Sequence, residues 1–175
     1  MYIILIGMMG SGKSHVGKEL AALLALPMLD LDTLLQESFG RSIAEVFAQC
    51  GEVAFRQREA ELMLDLAKHR RTAVLALGGG SVLAQDGMQA LKQVGKVVFL
   101  RTDVVCLAKR LTRSRHKRPL VANEPDLQGK LTDILTIRQS LYEGYADFSV
   151  DTEDKTPSQV AALIAAWWKE GRYEL

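Results

Sequence analysis

The sequence predicts a three-layer α/β protein, with a central parallel sheet of about five strands flanked by helices. Three observations predict it: short β-branched and aliphatic runs recur along the chain, segments of helical spacing separate them, and a glycine-rich turn joins the first run to the first helix. Ile3 to Ile6 is too short for a helix and is closed by Gly7, as a strand buried on both faces reads. Lys13 to Leu26 carries Val16, Leu20, Leu23 and Leu24 at helical spacing and stops before Pro27. Met28-Leu29 is a second, shorter strand. Ser42 with Glu45 three residues on has the capping-box spacing that starts a helix at Ile43, and Gly51 to Lys68 is a further helix. Ala73 to Leu77 and Val97 to Leu100 are strands separated by a helical segment. Phe148 to Val150 is the fifth strand, and Pro157 to Trp168 an amphipathic closing helix. Residues 113 to 125 are polar and basic, hold two of the four prolines and have no apolar period, the pattern of a mobile surface loop.

A length of 175 residues suits one domain, and no linker divides it. Hydrophobic residues at 48% and charged ones at 25% describe a globular chain and exclude collagen-like, disordered and disulfide-scaffold classes. Twenty-two Lys and Arg against 21 Asp and Glu leave a net charge of +1, too little for a protein that grips nucleic acid through its phosphates. Cys50 and Cys106 form no Cys-x-x-Cys pair, so neither zinc nor thiol redox chemistry is indicated; both read as buried thiols. The apolar start has no basic segment before it and no cleavage site after it, and no run approaches the ~18 residues of a spanning helix. The expectation is a cytoplasmic monomer with no membrane partner.

Gly7-Met-Met-Gly10-Ser11-Gly12-Lys13-Ser14 fits the Walker A pattern and lies between a buried strand and a helix start, where its mechanism requires it. The glycines let backbone N–H groups turn toward phosphate oxygens, and the helix N-terminus adds partial positive charge. Lys13 then reaches the β and γ phosphates, and the Ser14 hydroxyl can coordinate Mg²⁺. The pattern alone does not separate kinases from nucleotide-dependent switches. A guanine-reading Asn-Lys-x-Asp is absent, and Asp126-Leu-Gln-Gly129 fits a switch motif only by chance, since it follows a basic loop rather than a buried strand.

Leu29-Asp30-Leu31-Asp32 follows the second strand, which stands both carboxylates at the sheet edge where open α/β sheets bind ligands. One acid can help hold hydrated Mg²⁺ and the other can meet an acceptor hydroxyl; a bland alternative has both capping a helix from Thr33. Arg56 and Glu59 share a helix face, Gly78-Gly79-Gly80 follows another strand, and Arg138 lies on a later helix. With Ser42-Ile-Ala-Glu-Val-Phe47, Gly51-Glu52, Phe55-Arg56, Arg118-Pro-Leu120 and Leu141-Tyr142, these motifs make an ordered set from residue 7 to about 150. In that set the chain resembles the shikimate kinases, which have a P-loop kinase fold.

The resemblance implies transfer of the γ-phosphoryl group of ATP to the 3-hydroxyl of shikimate, a small cyclic carboxylic acid, in the pathway to aromatic amino acids. Gly7, Gly10, Ser11, Gly12, Lys13 and Ser14 would hold the nucleotide, with Ser14 and Asp30 at Mg²⁺. Asp32 matches the acid that meets the acceptor hydroxyls, and Arg56 and Arg138 match the carboxylate clamp. Glu59 would orient Arg56, Phe47 and Phe55 would form an aromatic wall, and Gly78, Gly79 and Gly80 would bring backbone N–H groups to the substrate. Arg118 matches the arginine of a mobile lid, about residues 113–124, that closes over the phosphates; either Arg110 or Arg113 matches the arginine that packs on adenine. Leu77 departs from the family pattern, which commonly has Thr before the triple glycine. A gluconate-kinase-type sugar-acid kinase and a non-catalytic nucleotide-gated module are the alternatives.

Overall fold

In the computed structural model, which describes residues 1–69, 71–113 and 124–171, the chain alternates strand and helix. The strands are β1 (Tyr2–Ile6), β2 (Met28–Asp30), β3 (Ala73–Ala76), β4 (Gly95–Arg101) and β5 (Phe148–Asp151). The helices are α1 (Lys13–Leu24), α2 (Leu31–Phe39), α3 (Ile43–Lys68), α4 (Gln85–Val94), α5 (Val104–Thr112), α6 (Leu127–Tyr145) and α7 (Pro157–Glu170), with one 3-10 turn at Ser81–Leu83. All paired strands run parallel, in the order β2-β3-β1-β4-β5. The basic segment expected to form a lid lies almost wholly outside the described residues, and Arg118 with it.

β1 is central because every residue of it is apolar and none is exposed. The period of two divides it between two cores: Tyr2, Ile4 and Ile6 face the layer of α3, α4 and α6, whereas Ile3 and Leu5 face α1 and α7. Each such side chain contributes about 1.5–3 kcal/mol by leaving water. On the second face Val16 and Leu20 of α1 meet Val160, Ile164 and Trp168 of α7, so the two helices lie side by side beneath the sheet.

Local chemistry sets the ends of the elements. α1 stops two residues earlier than its apolar spacing suggests, because Ala25 takes a left-handed conformation (φ 53°) and its N–H caps the helix. α2 starts at Leu31 rather than Thr33: Asp30 is its N-cap and accepts from the N–H groups of Asp32 (3.1 Å) and Thr33 (3.4 Å). The capping box at Ser42 and Glu45 is present, and the helix it starts is broken at Gly51 (φ 79°, ψ 169°) before continuing to Lys68. The two cysteines differ from expectation. Cys50 is exposed and Cys106 half-buried, because their positions on α3 and α5 turn away from the packed faces. No described helix is long and apolar enough to cross a membrane.

Candidate active site

The carboxyl ends of β1, β2 and β3 open into a cleft of about 900 Å³. Its floor is the loop between β1 and α1. Gly12 has φ 95°, a conformation that disfavours any side chain, and as the N-cap of α1 it puts no capping side chain across the helix N-terminus, whose partial positive charge suits an anion. The Lys13 ammonium folds under the loop, donating to the carbonyls of Gly7 (2.8 Å) and Met8 (3.0 Å). Gly10, Ser11, Gly12, Lys13 and Ser14 line the cleft. Ser11 is buried, and its hydroxyl has no partner among the described residues.

Ser14 and Asp30 come from different elements and meet. The Ser14 hydroxyl donates to Asp30 Oδ2 at 2.7 Å, while Oδ1 of the same carboxylate caps α2. No group of three or more His, Cys, Asp or Glu side chains able to hold a metal occurs among the described residues. One hydroxyl and one carboxylate beside a phosphate cradle fit a small, hard cation that keeps its waters and arrives on phosphate oxygens.

The far end of the cleft is organised around residues 78–80, immediately after β3. Asp32 Oδ1 lies 2.9 Å from where a side chain on Gly78 would begin, and Glu59 Oε1 3.2 Å from the same point. On Gly80 that point is 2.7 Å from both terminal nitrogens of Arg56, and on Gly79 it is 3.0 Å from the backbone nitrogen of Met9. Three successive glycines therefore admit a carboxylate, a guanidinium and the phosphate loop to one stretch of backbone, and any larger residue would push one of them away.

Arg56 pairs with Glu59 at 2.7 Å and with Glu52 at 3.3 Å. Glu59 is 1% exposed and also accepts from Ser81 Oγ at 2.6 Å, so both its oxygens are satisfied. The Arg56 guanidinium lies 5.2 Å from the ring centre of Phe55, which packs on Phe47 at 4.7 Å. Arg138 approaches from α6 and donates to the Gly79 carbonyl at 3.1 Å. Tyr142, one turn further on, donates to the same oxygen at 2.5 Å. Burial pushes the Tyr142 hydroxyl up to about 12, against the opposing effect of Arg138.

Arg110 lines the opposite, outer end of the cleft, where it donates to the Thr152 hydroxyl (3.1 Å) and carbonyl (2.8 Å). Arg113 is exposed at the end of α5 and is not among the lining residues. Sequence reasoning missed several residues here. Ser81 carries no pattern of its own, although its place directly after the glycines is a signal. Thr152, Lys155 and Pro157 line the cleft because the turn after β5 reaches the same sheet edge, which the strand order decides.

Comparison with known proteins agrees with this geometry. A family model described as shikimate kinase matches residues 9–169. A shikimate kinase of Enterococcus faecalis is 38% identical over 172 residues, covering 96% of this chain and 98% of its own. Among solved structures, a shikimate kinase from Acinetobacter baumannii in complex with shikimate superposes with a TM-score of 0.91 at 34% identity, over 99% of this chain and 95% of that one. The shikimate kinase from Aquifex aeolicus gives 0.80 at 30% identity, over 98% of both. With Walker A loop, paired aspartates, glycine triplet and flanking arginines in one cleft, and with such matches over nearly its whole length, this chain belongs to the shikimate kinase family.

Proposed function

We propose that the cleft moves the terminal phosphoryl group of ATP onto the 3-hydroxyl of shikimate, releasing shikimate 3-phosphate and ADP, and that its residues divide the work as follows. The observation that carries the reading is the convergence on residues 78–80, where Asp32, Arg56 and Arg138 surround backbone that itself touches the phosphate loop. A cyclic acid with one carboxylate and several hydroxyls suits two guanidinium groups at one end and a carboxylate near the donor. The Acinetobacter baumannii relative was solved in complex with shikimate, which supports the same acceptor here.

Arg56 and Arg138 bind the acceptor carboxylate, and Phe47 and Phe55 wall the ring. Glu59, held by Ser81, keeps Arg56 aimed at the cleft. The amides of residues 78–80 meet the substrate at close range. Asp32 accepts the proton of the attacking hydroxyl as the oxygen takes up the phosphoryl group and the β–γ bridging oxygen leaves with ADP. Lys13 leaves the Gly7 and Met8 carbonyls for the β and γ phosphates, and the N–H groups of Gly10 to Ser14 cradle the chain. Arg110, rather than Arg113, stands where the base would lie, beside Thr152, Lys155 and Pro157. Arg118 keeps the role its motif implies, facing charge on the transferring group.

Ser14 and Asp30 would hold Mg²⁺, which when bound neutralises phosphate charge and orients the donor. We expect the reaction in the cytoplasm, where ATP is available. A coupled assay of ADP release tests the reading. Shikimate is expected to stimulate ADP formation strongly, with gluconate and nucleoside monophosphates inactive; equal stimulation by gluconate, or ADP release without any acceptor, would overturn it.

A further inference from the structure

The glycine triplet creates a difficulty for its own function. With no side chains of their own, residues 78–80 are held by backbone and by other residues. The Gly78 and Gly80 carbonyls accept from the N–H groups of Ser81 (3.2 Å) and Leu83 (3.0 Å), which leaves the Gly79 carbonyl to side chains. A misplacement of this stretch by about 1 Å would be costly to catalysis. One anchor is already in use for binding: Arg138 donates to the Gly79 carbonyl at 3.1 Å, but the same guanidinium is needed by the substrate. The other is Tyr142, whose hydroxyl reaches that carbonyl at 2.5 Å. Its ring is fully buried and stacks on Phe99 of β4, with centroids 5.0 Å apart and planes 14° from parallel. α6 carries Arg138 and Tyr142 four residues apart, so both side chains leave one helix face toward one oxygen.

We infer that Tyr142 is a positioning residue of the acceptor site: it ties the Gly79 carbonyl to the central sheet through Phe99, and so holds both the glycine amides and the Arg138 fork in register with the phosphate loop. The inference rests on the acceptor reading above. Phe99 pairs in register with Ile6, the last residue before the Walker A loop, so the tie runs to the strand that carries the nucleotide site. The raised Tyr142 hydroxyl stays protonated and donating throughout the neutral range. A carbonyl that already accepts from Tyr142 is held in place even when Arg138 turns to the substrate. That separates Tyr142 from a residue that merely fills the core.

Tyr142→Phe tests this, because it keeps the ring stack and removes only the hydroxyl. The expected result is a three- to tenfold rise in the shikimate KM with the ATP KM changed less than twofold, measured on protein whose near-ultraviolet circular dichroism matches the wild type. A merely structural residue would lower the melting temperature and leave both KM values alone. A double-mutant cycle with Arg138→Lys gives a second reading: the two effects on the shikimate KM are expected to be less than additive, since part of the Tyr142 effect is exerted through the Arg138 fork, and full additivity would count against that coupling. An unchanged shikimate KM in Tyr142→Phe, or equal rises for both substrates, would overturn the inference alone. Wild-type ADP release that ignores shikimate would instead overturn the acceptor reading, and this inference with it.

Discussion

Arg56 is held by two carboxylates of unequal standing. Glu59 is buried and close at 2.7 Å, while Glu52 is 61% exposed and stands off at 3.3 Å. The exposed i,i+4 pair contributes only a few tenths of a kcal/mol, whereas the buried one fixes where the guanidinium points. A charge-assisted hydrogen bond to a ligand carboxylate contributes about 1.5–3 kcal/mol. Arg56→Ala is therefore expected to raise the shikimate KM roughly ten- to a hundredfold with a smaller change in kcat. Arg118→Ala is expected to do the opposite and mainly lower kcat, since an arginine facing a transferring phosphoryl group can change turnover by about 10³–10⁵. Steady-state kinetics with the pattern reversed would refute the division of roles. The pairing of Arg56 with Glu59 was legible as an i,i+3 spacing, but a spacing shared with many surface pairs does not say that Glu59 is buried. Burial came from Ser81 and Gly78, which approach from a different part of the chain.

At the scale of elements, the walls of the acceptor site depend on how two helices begin. α2 is capped by Asp30, and the same carboxylate receives the Ser14 hydroxyl, so one short acid serves both a helix end and the phosphate loop. Capping therefore does not exclude cation chemistry at this residue, because Oδ1 faces the helix N–H groups and Oδ2 faces the Ser14 hydroxyl. α3 is broken at Gly51, whose φ of 79° and ψ of 169° belong to a region that only glycine enters readily. A side chain there would meet nothing within 4 Å, so the cost of replacing it is backbone strain alone. Gly51→Ala is expected to cost roughly 1–3 kcal/mol, lowering the melting temperature by about 2–12 °C. It should also disturb the placement of Phe47 relative to Phe55, which lie on either side of the break. Calorimetry showing an unchanged transition would mean that α3 accommodates a continuous helix. The capping box at Ser42, the break at Gly51 and the five strands were readable because each rests on local chemistry, whereas the early end of α1 was not, because Ala25 is an unusual residue for a left-handed cap.

At the scale of the molecule, the strand order β2-β3-β1-β4-β5 brings the ends of β1, β2 and β3 to one edge, so the phosphate loop, the aspartates and the glycine triplet become neighbours. A ligand that binds only the folded chain stabilises it by mass action, about 2.7 kcal/mol at a hundred times its dissociation constant. Saturating Mg²⁺–ATP is accordingly expected to raise the melting temperature by roughly 5–10 °C, and shikimate to raise it further, as differential scanning fluorimetry would record. No shift with either ligand would count against the cleft as their site. The parallel α/β class, the nucleotide loop and the family can be read along the linear chain, because period, glycine placement and motif order are properties of neighbouring residues. Folding in three dimensions is what makes Tyr142 and Arg138 share the Gly79 carbonyl, puts Arg110 but not Arg113 on the cleft wall, and sets Ser81 against Glu59. Those contacts join segments dozens of residues apart, and their geometry follows from which strands lie side by side rather than from any local preference of the chain.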